Sequence, residues 1–272
     1  MNLNNFINMI KKIAKEILPP FLIKIFKKYY GIHYIGNFKS WQEAKNKSIG
    51  YEDPNILEAV KKETLDLKQG KLKINNYRWQ FLSYFLLAVA MLRNQKIRVL
   101  DFGGAFGGLY FQHKKFLDKI PLESWSIVEQ KHFVSAGEKF FSENPIKFFY
   151  DIKSCIKSEN PNILLLSGVL QFLEQPFKFL DEILTHKFEF IIIDRTPFQK
   201  NRDGDIIKIQ IIPRFAHIYA GSYPCWFFDK LKFKDYFTNK GYLVLEEFDT
   251  IDPYGSDYEF KGMFLKNQKS NL

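Results

Sequence analysis

VLDFGGAFGGLYFQH, residues 99–113, is a short apolar run that ends in an acid and passes into a glycine-dense turn. The pattern predicts a strand closing at Asp101, a turn over Gly103, Gly104, Ala105, Phe106 and Gly107, and a helix from about residue 108. Small residues in such a turn let the backbone come close to a ligand. In open α/β sheets, ligands bind beyond the carboxyl ends of the strands, where strand order reverses. The turn is therefore the candidate cofactor site.

Working outward, strands and helices alternate. IRVLDF, SWSIVEQ, IKFFYD, NILLLSG and FEFIIIDR read as strands. Helices are expected over about 108–119, at HFVSAGEKFF and near 176–186. A long irregular stretch is expected over 196–226. Asp229 then opens a helix that Gly241 closes, and YLVLEEFD and EFKGMFLKN make a final antiparallel pair. This alternation implies an α/β fold with a doubly wound, mostly parallel sheet over residues 96–272.

Residues 31–95 read as a helical cap. Ser40 and Glu43 have capping-box spacing, Asp53-Pro54 opens a second helix, and a third spans about 76–93. Before them, Leu3, Phe6, Ile7, Ile10, Ile13, Ala14 and Ile17 recur at helical spacing, Pro19-Pro20 interrupts, and FLIKIFKKYY repeats the pattern. Residues 1–30 thus read as a basic amphipathic helical extension.

The net charge of +10 does not imply nucleic acid. Half of it lies in residues 1–30, where Lys11, Lys12, Lys15, Lys24, Lys27 and Lys28 face Glu16 alone. That concentration suits peripheral contact with an anionic membrane face, or packing of the helix on a protein surface. No apolar run reaches transmembrane length, and no cleavage site follows the first apolar stretch. Cys155 and Cys225 are the only cysteines. They have no metal-ligand spacing, so neither a zinc site nor a disulfide framework is expected, and a cytoplasmic location is the simplest reading.

Two cofactors compete for the turn. A nicotinamide dinucleotide needs Gly-x-Gly-x-x-Gly, which Gly103, Ala105 and Gly108 meet with one substitution. S-adenosylmethionine needs an acid and then alternating small residues, which Asp101, Gly103, Ala105 and Gly107 meet, also with one substitution. The acid decides between them. Asp101 attracts the ammonium group of S-adenosylmethionine, directly or through water, and repels a pyrophosphate. Glu129, with Gln130 beside it, ends the next strand and is placed for the ribose hydroxyls of either cofactor. Asp151 ends the third, placed for an adenine amino group.

VLDFGG, IVEQ and LLLSGVLQFLEQP resemble successive motifs of seven-stranded, Rossmann-like S-adenosylmethionine-dependent methyltransferases, with Ser167, Val169, Leu170, Gln171, Leu173 and Pro176 matching the fourth-strand motif. NFKSWQEAK, LDFGG, IVEQKHFV, IIIDRTPF and YPCWFF further resemble a methyltransferase family encoded in bacterial surface-polysaccharide (lipopolysaccharide, O-antigen) clusters. That resemblance covers roughly residues 33–266. It implies S-adenosylmethionine as cofactor and a sugar or polysaccharide precursor as acceptor. Ala105, where the general motif has glycine, is the departure.

The segment after the fourth strand lacks the Asn/Asp-Pro-Pro-Tyr motif of nucleic-acid amino-methyltransferases, which argues against base amines. A hydroxyl acceptor needs a base. His217, in the long stretch after the fifth strand, is the first candidate, and Asp194, expected at that strand's end, is the second. An alternative is a nicotinamide-dependent sugar oxidoreductase, but no Tyr-x-x-x-Lys pair is in place. A non-catalytic binding module on the same fold is the other alternative.

Overall fold

The computed structural model describes Pro19 and residues 31–50, 54–72, 74, 77–93, 95–200, 204–213, 219–252 and 255–269. The amphipathic reading of residues 1–30 therefore falls outside the described residues, Pro19 excepted, as does His217.

Leucine and isoleucine runs make the centre of the sheet. The strands β2 (Ile97–Phe102), β3 (Leu122–Val128), β4 (Ile146–Phe149), β5 (Ile163–Ser167) and β6 (Phe190–Gln199) pair in parallel, and β10 (Tyr258–Asn267) and β9 (Tyr242–Asp249) add antiparallel. Their order is β4-β3-β2-β5-β6-β10-β9. This is the doubly wound, mostly parallel sheet that the sequence pattern predicts, and it has seven strands.

Alternation along each strand splits the core in two. Val99, Ile163, Leu165 and Ile192 face one layer with the helices α3 (Trp79–Met91), α4 (Gly108–Leu117) and α5 (Lys131–Phe140). Leu100, Leu164, Leu166, Ile191 and Ile193 face the other, with α6 (Ile152–Glu159), α7 (Pro176–Ile183) and α8 (Lys230–Asn239). Strands buried on both faces read as unbroken apolar runs, which is why LLL and III carry no polar alternation.

A second sheet was not legible in the sequence. The strands β1 (His33–Phe38), β7 (Ile206–Ile212) and β8 (Gly221–Phe227) pair antiparallel in the order β1-β7-β8. The expected irregular stretch 196–226 is thus corrected. Thr196–Gln199 continues β6, and β7 and β8 form a hairpin. Pro224 disguises β8, but β8 is an edge strand, where a missing N–H is tolerated. Likewise, the stretch from Gly36, read as helical, opens within a strand before α1 (Trp41–Asn46) and α2 (Pro54–Lys68). The Ser40 cap is as expected: its side chain accepts from the Glu43 N–H at 3.2 Å.

The small sheet stands at the carboxyl ends of β5 and β6. Trp226 Nε1 donates to the Leu173 carbonyl at 3.0 Å, the Phe172 and Tyr223 rings meet edge-on, and the Gln199 and Phe228 backbones pair. Both cysteines are buried. Burial pushes the Cys155 thiol up to about 12, and that of Cys225 well above its usual value.

Candidate cofactor and acceptor site

Strand order reverses at β2, whose neighbours β3 and β5 run to opposite sides. The turn after β2 therefore opens at the crevice where a doubly wound sheet takes its ligand. Gly103 has φ +72°, and a Cβ there would stand 2.5 Å from Val169 Cγ2, so the turn is pressed against the segment after β5. At Gly104 a Cβ would collide with the Asp101 carboxylate. Ala105 also lies in the left-handed region, at φ 49°, which costs a non-glycine residue about 1–2 kcal/mol. Gly107 precedes α4 at φ 79°. Phe106 anchors the turn, fully buried and 4.9 and 5.1 Å from the rings of Phe141 and Phe133. Phe106→Ala is expected to destabilise the fold by about 3–5 kcal/mol, read by chemical denaturation.

Asp101 points inward. It is 2% exposed, lies beneath Gly104, and accepts from Trp125 Nε1 at 2.9 Å. Burial pushes its carboxyl up to about 7, with the Trp125 bond opposing, Glu129 adding and Arg78 opposing. Glu129 accepts from the Gln130 N–H at 2.7 Å and from the backbone of Ala105. It thus turns back toward the glycine turn, and burial raises its pKa against those two bonds. Asp101, Gly103, Gly104, Ala105, Gly107, Glu129 and Gln130 are brought together.

Asp151 stands apart from this group. It is exposed and caps α6, accepting from the Ser154 N–H at 2.8 Å and the Ser154 hydroxyl at 3.0 Å. Those bonds hold its pKa below the usual range.

Across the crevice, Asp194 does not end its strand as expected. Pairing with β5 stops at Ser167–Asp194, while β6 runs on beside β10. The Asp194 carboxylate accepts from Arg78 Nη1 at 3.1 Å and from the Ser167 hydroxyl at 3.3 Å, and Arg78 Nη1 also donates to Ser167 Oγ at 2.9 Å. Burial raises the Asp194 pKa, opposed by Arg78 and Arg195. The neighbouring Arg195, at φ 58°, makes three bonds of 2.7–3.0 Å to Asp252. Arg78, Trp125 and Asp252 are the members of this site that sequence reasoning missed. None sits in a motif, and Arg78 merely precedes an apolar helix.

Of the aromatics near the hairpin, Phe227 is buried against Tyr34, Tyr258 and Phe260, and Tyr223 is also buried. Trp226 is half-buried and stacks on Trp41 at 6.0 Å.

No protein-family model matches the sequence, and no curated protein matches it. Solved structures with a similar chain arrangement include an S-adenosylmethionine-dependent methyltransferase from Clostridium acetobutylicum (10% identity, TM-score 0.47, 70% of this chain and 92% of that one). CcbJ methyltransferase from Streptomyces caelestis has 10% identity and a TM-score of 0.43 over 68% of this chain and 88% of its own. CalS10, an amino pentose methyltransferase from Micromonospora echinaspora solved with S-adenosylmethionine bound, has 9% identity and a TM-score of 0.45 over 73% and 94%. At these identities and scores the likeness says nothing about this chain's chemistry.

Proposed function

We propose that the chain is an S-adenosylmethionine-dependent methyltransferase that methylates a hydroxyl of a sugar or polysaccharide precursor in surface-glycan synthesis. The observation that carries the cofactor half is the buried Asp101 carboxylate beneath the Gly103–Gly107 turn at the switch point. A pyrophosphate would meet the Asp101 carboxylate beneath Gly104, a repulsive charge in a partly desolvated crevice; Glu129 suits the ribose of either cofactor. S-adenosylmethionine brings an ammonium, a sulfonium and a ribose diol to the same place. Asp101 acts on the ammonium from below the turn. Glu129 takes the ribose hydroxyls, with Gln130 and the backbone of Ala105 holding it in position. Ser167 is assigned to the methionyl end; Asp151, whose carboxylate caps α6, is given no part in binding.

The acceptor half rests on the small sheet. Its hairpin stands over the carboxyl ends of β5 and β6, the side on which a methyl group presented at the crevice would emerge. The half-buried Trp226 at its edge offers a flat apolar face of the kind sugar rings stack on. His217, between β7 and β8 in the sequence, is the proposed base. Residues 1–30 are proposed to hold the enzyme peripherally at the inner membrane face, where lipid-linked precursors lie. Among the described residues no helix is long and apolar enough to cross a membrane.

Glu129→Gln tests the ribose assignment. Loss of a charge-assisted acceptor is worth about 1.5–3 kcal/mol, so affinity for S-adenosylhomocysteine should fall roughly ten- to a hundredfold. A deoxyribose analogue should bind wild type and variant almost equally. If the variant still prefers the diol as strongly as wild type does, Glu129 is not its ligand. Turnover is tested with radiolabelled methyl donor and a pool of nucleotide sugars and lipid-linked glycans. Binding without label transfer would favour a non-catalytic module.

A further inference from the structure

The methionyl end of the proposed cofactor is a zwitterion, so a cation beside the site is a natural partner for its α-carboxylate. Two guanidinium groups stand at the carboxyl ends of β5 and β6, on Arg78 and Arg195. Arg195 is committed, because its Nε and Nη2 both bond the Asp252 carboxylate. Arg78 is not. Its side-chain hydrogen bonds to described residues, to Ser167 and Asp194, both leave from Nη1. A guanidinium carries five N–H donors, and its free edge can grip a second carboxylate in bidentate fashion.

Exposure separates the two partners of this ion pair. The Arg78 side chain is 19% accessible and that of Asp194 only 3%, so the cation is the member a ligand can reach. Its location fits as well. Arg78 bonds Ser167 at the end of β5 and lies close enough to Asp101, at the end of β2, to lower its pKa. It thus spans the switch point from the side opposite Glu129. Arg78, on Ser167 at the end of β5, and Glu129, at the end of β3, thus lie on opposite sides of β2, an arrangement of charges that suits an amino-acid end.

We infer that Arg78 is a cofactor-binding residue whose free guanidinium edge takes the α-carboxylate of the methionyl end, while Asp194 and Ser167 hold the guanidinium in place. This assigns to the segment before the sheet a direct part in ligand recognition. It rests on the proposed cofactor reading.

The test compares two ligands that differ at this end. S-adenosylhomocysteine carries the carboxylate, and 5′-methylthioadenosine lacks the whole amino-acid portion. Arg78→Gln should weaken S-adenosylhomocysteine about ten- to a hundredfold and leave methylthioadenosine within about twofold. Because Arg78→Gln strands a buried Asp194, the double variant Arg78→Gln/Asp194→Asn, which removes both charges, should show the same ligand-selective loss in a protein with wild-type thermal unfolding. Equal losses for both ligands in the double variant, or no loss for either, would overturn the role of Arg78. Failure of the wild type to bind S-adenosylhomocysteine at all would instead overturn the cofactor reading.

Discussion

Replacing His217 with alanine is expected to slow methyl transfer by roughly two to four powers of ten, with affinity for S-adenosylhomocysteine unchanged. Methylation of a hydroxyl leaves a proton to be removed, and a group titrating near neutrality suits that task. The structure sharpens the choice between the two candidate bases. Asp194 is 3% exposed and already accepts from Arg78 and Ser167, so it is poorly placed to meet an acceptor directly. Asp194→Asn should act chiefly on stability, by leaving the Arg78 charge uncompensated. Breaking a buried pair in this way typically costs about 3–5 kcal/mol. Single-turnover transfer and denaturant unfolding on both variants separate these effects. Full turnover by His217→Ala, with a collapse in a folded Asp194→Asn, would reverse the assignment.

The second large effect is on pH. Burial pushes the Asp101 carboxyl from 3.8 to about 7, and a bound ammonium favours its ionised form. Binding should therefore be strongest above about pH 7. It should weaken as pH falls through that value, approaching tenfold per unit below it, or roughly thirtyfold between pH 8 and pH 5.5. Glu129, also raised by burial, acts in the same direction, while Arg78 opposes the rise at Asp101. The unliganded fold should respond with the opposite sign. A carboxyl whose folded pKa exceeds its unfolded one costs nothing below the unfolded value and destabilises increasingly as pH rises through the folded one. Asp101→Asn should flatten both dependences. A wild-type affinity that stays constant from pH 8 to pH 5.5 would remove Asp101 from cofactor binding.

The central strands were legible in the sequence because they depend on local pattern: LLLS and IIID read as buried strands between helices, and DFGGAFG as a close-approach turn. The cofactor side of the crevice comes with them, because Asp101 and Glu129 sit at strand ends by position alone. The small sheet depends on partners far apart in the chain. His33 pairs with Ile211, and no local periodicity announces a strand whose partner lies more than 170 residues away. The ion pairs escaped for the same reason. Asp194 and Arg195 are adjacent, but adjacent strand residues point to opposite faces. Asp194 meets Arg78, and Arg195 meets Asp252.

Titration calorimetry of the full chain at pH 8 decides whether this crevice holds S-adenosylmethionine rather than a dinucleotide. Titrations would use S-adenosylhomocysteine, NAD and NADP in turn. The expected result is saturable binding of S-adenosylhomocysteine at one site per chain, abolished or strongly weakened by Asp101→Ala, with no measurable binding of either dinucleotide. Saturable binding of NAD or NADP with none of S-adenosylhomocysteine would contradict it.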